Sequence, residues 1–215
     1  MSEIIRKFYN EHPNFGINSL RRQKINNLIA DEIQKGGKKI LDIGCATGYV
    51  SSLWRVCDNY IIGIDIAEKS IFEAKKHLDE AIVVDLENYP WPAEVTKNKY
   101  DIILCAEIIE HLFKPEKLLK YLKRFLAEDG SLIITTPNFL VWSDRIKMLL
   151  GYYEVLDKGH IRLFSYKNFK KLLNDCGYKI ITEDNLLKPN WLDKFAGFLP
   201  TNFFVYQIIA KIKPK

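Results

Sequence analysis

Lys39-Ile40-Leu41-Asp42-Ile43-Gly44-Cys45-Ala46-Thr47-Gly48 is the stretch whose reading decides the fold. A short apolar run ends in an acid, and glycines follow at positions 44 and 48. A second apolar run, Tyr60-Ile61-Ile62-Gly63-Ile64, ends at Asp65. Runs of this length, bounded by turn residues, read as fully buried parallel strands. Glycine supplies the positive φ that a tight turn needs. A strand, a glycine turn, a helix and a second strand ending in an acid form a unit that holds the ribose of a nucleoside cofactor.

Asp42 narrows the choice of cofactor. A dinucleotide places its pyrophosphate at such a turn, where a neighbouring carboxylate repels it. S-adenosylmethionine carries no phosphate, and its sulfonium and ammonium groups are both positive. An acid beside the turn suits that ligand. A simpler reading of each acid stays open: Asp42 and Asp85 as helix caps, Asp65 as a turn residue.

Working outward, residues 17–35 predict an amphipathic helix, with Leu20, Ile25, Leu28, Ile29 and Ile33 near helical spacing and Gly36-Gly37 as its stop. Strands are predicted at 38–43, 60–64, 81–84, 100–105 and 131–136. Helices are predicted at 48–57, 68–78 and, after Pro115, 116–127, stopped by Glu128-Asp129-Gly130. The tail breaks this alternation. A helix at 166–175 leads to strands at 178–182 and 203–212, and two strands without a crossover helix should pair antiparallel. The expectation is an α/β, Rossmann-like, doubly wound sheet of seven strands, mostly parallel, with a C-terminal antiparallel hairpin. One domain covers 1–215. Residues 1–37 form an N-terminal helical segment, and 139–164 and 188–202 are insertions over the strand C-termini, forming a substrate lid.

Bulk properties fit one domain. The chain has 215 residues, 47% hydrophobic and 27% charged, which is ordinary for a globular protein with a full core. The first dozen residues are polar and show no export signal, and the late apolar run 203–210 is too short to span a bilayer. Cysteines at 45, 57, 105 and 176 show no paired spacing, which points to a reducing, cytoplasmic setting. The net charge of +5 is uneven: from Phe139 onward thirteen Lys/Arg face seven Asp/Glu, and the same segment holds 14 of the 27 aromatic residues. That mixture suits a surface for an anionic or planar partner, or a solvated lysine face over ordinary core rings.

At these residues the chain resembles the class I S-adenosylmethionine-dependent methyltransferases, over roughly 38–182 and more loosely the last strand. Ile40–Gly48 resembles the family's first motif, with Ala46 in place of its middle glycine. Gly63-Ile64-Asp65-Ile66 resembles the second, and Val84-Asp85-Leu86 stands where the family contacts adenine. Tyr100–Glu107 resembles the fourth motif, and Leu126–Leu132 the turn before strand five. The resemblance implies cofactor contacts at Asp42, Gly44, Cys45, Ala46, Gly48, Asp65, Ile66, Asp85, Leu86 and Ala106. Asp42 and the glycines shape the methionine end, Asp65 holds the ribose and Asp85 the adenine amine.

Methyl transfer is an in-line displacement, so the protein supplies mostly alignment. A hydroxyl acceptor also needs its proton removed or its oxygen polarised. Glu107 and His111 lie nearest the transfer and are the candidate catalytic residues. Glu107, Glu110 and His111 share one face if they are helical, and with His160 they make a candidate site for magnesium or manganese. This Glu-x-x-Glu-His pattern with a later His resembles two metal-assisted O-methyltransferase groups. One acts on catechol-like precursors in ubiquinone biosynthesis, the other on the 2′-hydroxyl of small RNA ends. His111 as a metal-free base, or as a packing residue, is equally open. Trp142, Tyr152, Tyr153, Phe164, Trp191, Phe195 and Phe198 fall in the insertions and suit a ring or lipid acceptor, or the core beneath the hairpin. Trp191–Leu199, with Lys194, is a candidate for peripheral membrane contact. The expected acceptor is a small molecule, lipid or glycan methylated at oxygen. Nothing resembles a dedicated nucleic-acid module, so RNA is the alternative acceptor. A NAD-dependent oxidoreductase, disfavoured by Asp42, and a non-catalytic adenosyl-binding partner are the others.

Overall fold

A computed structural model describes residues 19–152, 159–187 and 203–215. Helix α1 spans Ser19–Lys35, and β1 follows at Lys39–Ile43. After β1 come β2 Tyr60–Asp65, α2 Glu68–Ala74, β3 Glu80–Val83, α3 Ala93–Thr96 and β4 Tyr100–Ala106. The chain continues with α4 Pro115–Leu122, β5 Leu126–Pro137, α5 Trp142–Leu149 and α6 Tyr166–Asp175. It ends with β6 Tyr178–Glu183, β7 Leu186–Leu187 and β8 Val205–Pro214.

These strands form one sheet of eight, in the order β3-β2-β1-β4-β5-β8-β6, with β7 also pairing β8. Pairs among β1 to β5 are parallel, and β8 runs antiparallel to β5, β6 and β7. The expected Rossmann-like sheet and antiparallel tail are present. The count is eight rather than seven because Leu186-Leu187 makes a two-residue strand, too short to show in a hydropathy pattern.

Alternation along each buried strand feeds two cores. Leu41, Ile43, Ile62, Ile64, Ile103, Cys105, Leu132 and Ile134 point to one face, against Leu118, Leu119 and Leu122 of α4 and Phe169 and Leu173 of α6. Ile40, Ile61, Ile102, Leu104 and Ile133 point to the other, against Ile25, Ile29 and Ile33 of α1 and Ile71 and Ala74 of α2. Both faces are covered, as a parallel sheet requires. Strand order reverses between β1 and β4, and ligands in such sheets bind in the crevice beyond the strand C-termini at that point.

Local boundaries differ from expectation where tertiary contacts win. Only Ser51–Trp54, one 3-10 turn, forms within the expected helix 48–57. Ser51 gives its hydroxyl to Asp42 (2.6 Å), and Cys57 and Asp58 sit at positive φ, which ends any helix there. Helix α4 stops at Leu122 because Phe125 and Leu126 are drawn to Tyr100: the Tyr100 amide donates to Phe125 O (2.7 Å), and Tyr100 pairs with Leu126. Among the described residues no helix is long and apolar enough to cross a membrane.

Candidate active site

Three acids stand at the C-terminal edges of three adjacent strands. Asp42 lies in β1, Asp65 ends β2, and Asp85 follows β3, drawn beside Asp65 by the Val84 amide, which donates to Asp65 O (2.8 Å). Between them runs the turn predicted to hold the cofactor. The Gly44 and Cys45 amides donate to Ile64 O (2.8 and 3.0 Å), which ties the turn to β2. Gly44 and Gly48 have φ of +67° and +75°. A side chain at Gly44 would place its Cβ 2.0 Å from Ile108 Cδ1, so β1's turn and the segment after β4 approach as closely as glycine allows. Ala46, where the resembled family has glycine, also sits at positive φ, +46°. The local geometry of the motif is thus kept at a steric cost of about 1–2 kcal/mol.

Asp65 accepts from the Ala46 amide at one oxygen (2.9 Å) and from the Ala67 amide at the other (2.8 Å), which links the turn to the second acid. Ile66 and Leu86 follow their acids at these edges. Burial raises the Asp65 carboxyl above its ordinary range. Asp42 is only 3% exposed and bonded to Ser51. Burial, opposed by that bond and reinforced by the Asp65 charge, lifts its pKa to about 7. Asp85 accepts from the Glu87 amide (3.0 Å) in a local turn.

The second half of the site lies beyond β4. Glu107, just after Ala106, is at φ +56°, and Ile109–His111 is a single 3-10 turn. Glu107, Glu110 and His111 therefore do not share a helix face. Glu107 bonds instead to Thr135 Oγ1 (2.7 Å) and Gln207 Nε2 (2.7 Å) and pairs with Arg21 (2.9 Å). Glu110, His111 and His160 do converge, with one donor atom from each all within 4.8 Å of one another. Glu107 is not part of that group.

The cluster is built by backbone pairing. The Ile161 and Arg162 amides both donate to Glu110 O (3.0 Å each), and Arg162 Nε donates to Leu112 O (3.1 Å). Those bonds lay 159–162 along 110–112 and carry His160 to Glu110. Gly159 O can only accept, so His111 Nδ1, 2.9 Å away, is the donor of that bond. Glu110 is 1% exposed; Thr136 Oγ1 donates to its Oε2 (3.0 Å), while its Oε1 has no hydrogen-bond partner and lies 4.0 Å from His160 Nε2. Burial, and then the Glu107 charge, raise the Glu110 carboxyl well above its ordinary range.

Arg21, Thr135, Thr136 and Gln207 have no signal in the sequence. They reach the site through pairings distant in the chain. Of the insertion aromatics, Phe164 is buried in the core and Tyr152 is 77% exposed. Tyr153, Trp191, Lys194, Phe195 and Phe198 lie outside the described residues.

Comparison with known proteins identifies the family and the fold. A family described as "Methyltransferase domain" matches residues 17–183. The ubiquinone biosynthesis O-methyltransferase of Glaesserella parasuis is 33% identical over 149 residues, 65% of this chain and 63% of that protein. The mitochondrial ubiquinone biosynthesis O-methyltransferase of Saccharomyces cerevisiae is 28% identical over 168 residues, 75% of this chain and 54% of that protein. The chain thus spans less than two thirds of either relative. Magnesium protoporphyrin IX methyltransferase from Synechocystis, solved with bound SAH, shares the fold at TM-score 0.68 and 17% identity, with all of both chains covered. With the motif order, the switch-point acids and the matched residues in agreement, the chain belongs to the methyltransferase domain family of class I, S-adenosylmethionine-dependent enzymes.

Proposed function

We propose that this chain methylates a hydroxyl oxygen of a small-molecule acceptor. What supports the reading is that the strand-end acids Asp42, Asp65 and Asp85 and the Glu110–His111–His160 cluster follow strands on the two sides of the β1/β4 switch point. Relatives named as ubiquinone biosynthesis O-methyltransferases support oxygen as the atom and a small ring compound as the acceptor class. Phe113, Ile161 and Leu163, part-exposed beside the cluster, suit an apolar acceptor over a glycan. The four cysteines are free, which supports a reducing, cytoplasmic setting.

S-adenosylmethionine, when bound, supplies an activated methyl group and two positive charges. The residues present fit it. Asp65 offers its carboxylate to the ribose hydroxyls, and Asp85 and Leu86 form the adenine edge. Asp42 sets a buried negative potential behind Gly44, Cys45 and Ala46, where the sulfonium and ammonium belong. Gly44 and Gly48 keep the turn thin. At the acceptor end, two imidazoles and an orphaned buried carboxylate oxygen fit a divalent cation, which when bound would lower the pKa of a hydroxyl and orient it. Glu110, His111 and His160 would hold it. Without a cation, the reading assigns His111 as the base that accepts the acceptor's proton. Glu107 pairs with Arg21 beside this cluster.

Calorimetric titration with S-adenosylhomocysteine, with and without magnesium, on wild type and Asp65→Ala tests the reading. Micromolar binding that Asp65→Ala abolishes is the expected result, followed by methyl transfer to catechol-like acceptors that Glu110→Gln and His160→Ala each cut by two orders of magnitude or more. Absence of binding to the wild type would refute the proposal at its root.

A further inference from the structure

Glu107 is built to an unusual standard for a part-exposed carboxylate. Its backbone is left-handed, φ +56°, which L-residues avoid, and its own amide bonds Thr135 Oγ1 at 3.1 Å. Thr135 then donates the same hydroxyl to Glu107 Oε1 (2.7 Å), and Gln207 Nε2 donates to that oxygen as well (2.7 Å). Both partners are buried, Thr135 at 0% and Gln207 at 5% exposure. Oε2 is left to point at Arg21 (2.9 Å). Arg21 is in the first turn of α1, and its neighbour Arg22 stacks over the ring of Tyr49, 4.8 Å from its centroid, just past Gly48. The start of α1 therefore touches both lips of the switch-point crevice, the β1 turn through Arg22 and the β4 end through Arg21.

We propose that Thr135 and Gln207 are positioning residues, which lock the Glu107 carboxylate so that Arg21 holds the start of α1 across the crevice. The last strand thereby takes part in the site through Gln207. The mechanism is a division of labour on one carboxylate: two neutral donors from β5 and β8 fix Oε1 and leave Oε2 for the cation. Two donors on one oxygen also keep the carboxylate turned away from Glu110, whose own ionisation the Glu107 charge opposes. Farther along, α1 is seated by Ile25, Ile29 and Ile33, by the Lys24–Asp184 pair and by the bonds of Asn26, Leu28 and Glu32 to Trp54 and Lys211, so the Arg21 pair and the Arg22 stack are contacts of its first turn.

Hydrogen exchange of the α1 amides at residues 23–28, followed in Gln207→Leu, Thr135→Val, Glu107→Gln and the Gln207→Leu/Glu107→Gln double variant, tests this. Each single variant should speed exchange there about tenfold, the factor set by one hydrogen bond to a charged group, while amides in the middle of β4 and β5 stay protected. The double variant should exchange no faster than Glu107→Gln, because residues acting through one carboxylate are not additive. Unchanged exchange at 23–28 in Gln207→Leu, or a full further effect of Gln207→Leu on top of Glu107→Gln, overturns the proposal. If Gln207→Leu does not fold, Thr135→Val, nearly the same shape as the native residue, decides by the same criterion. The inference rests on the cofactor reading for one arm alone: S-adenosylhomocysteine affinity should fall about tenfold in Gln207→Leu. Wild-type binding that Gln207→Leu leaves intact counts against the positioning claim. A wild type that does not bind sinks the cofactor reading separately, and exchange still judges the lock.

Discussion

Replacing Asp42 with asparagine should make the protein more stable at alkaline pH and worse at binding a cation. Asp42 is 3% exposed, accepts from Ser51 Oγ at 2.6 Å and feels the Asp65 charge. Its pKa rises from an ordinary 3.8 to about 7, with burial as the main cause. The sign follows from proton counting. Between those two values the folded chain keeps a proton that the unfolded chain releases, so stability falls as pH rises through the window. Each unit of separation is worth about 1.4 kcal/mol, so ionising Asp42 in place costs on the order of 4 kcal/mol by about pH 8. The Asp42→Asn side chain keeps an acceptor for Ser51 and has no ionisation to disfavour. Its extra N–H needs a partner, a cost that is the same at every pH. Urea unfolding of both proteins at pH 4.5, 6 and 8 reads the difference, since titrating groups that do not feel the Asp42 charge cancel between them. The variant should gain several kcal/mol on the wild type between the first and last pH, and parallel stability curves would refute the argument. Its binding should show why the acid is kept: affinity for S-adenosylmethionine should drop more than affinity for S-adenosylhomocysteine, which lacks the sulfonium charge.

Ala46→Gly relieves a left-handed alanine, φ +46°, at a cost in unfolded-state entropy, so thermal unfolding should show a net gain of about 0.5–1 kcal/mol. A loss of stability would mean that the Ala46 methyl group packs usefully. Thr136→Val removes the donor to Glu110 Oε2 (3.0 Å) while keeping side-chain shape in a buried position. It should weaken magnesium affinity about 10–100-fold and leave S-adenosylhomocysteine affinity unchanged, both read by calorimetry.

The fold was legible where one residue's environment follows from its own strand. Ile40, Leu41, Ile43, Ile61, Ile62 and Ile64 are buried on two sheet faces, and a continuous β-branched run has no other good packing. The acids at the strand ends and the glycine turn read for the same reason, since the motif is local. Legibility failed where a distant partner decides. Leu126 joins β5 because Tyr100 is there to pair with it. Ser51 spends its hydroxyl on Asp42 and not on a helix. At the acceptor end, the Glu-x-x-Glu-His spacing correctly brought out Glu110, His111 and His160 as neighbours, but helical geometry was the wrong basis for it. Glu107 leaves that group because its left-handed backbone turns it toward β5, β8 and α1, which no i, i+3 count reveals.

Two glutamates three positions apart are thus treated in opposite ways, and the contrast has a consequence for pH. Glu107 pairs with an arginine and accepts from two further donors. Glu110 is buried, has one oxygen without a partner, and is pushed well above the ordinary carboxyl range by burial and by Glu107 itself. A cation can ligate Glu110 only after its proton leaves, so magnesium binding must be coupled to proton release. Divalent-cation affinity should therefore climb by up to about tenfold per pH unit for as long as Glu110 is protonated in the free protein. Titrations in two buffers of different ionisation enthalpy count the protons released directly. Glu110→Gln should abolish both the binding and its pH dependence. Proton release from Glu107 in place of Glu110, seen as a pH dependence that Glu107→Gln removes and Glu110→Gln does not, would reverse the assignment and place the cation on the Arg21 side of the crevice.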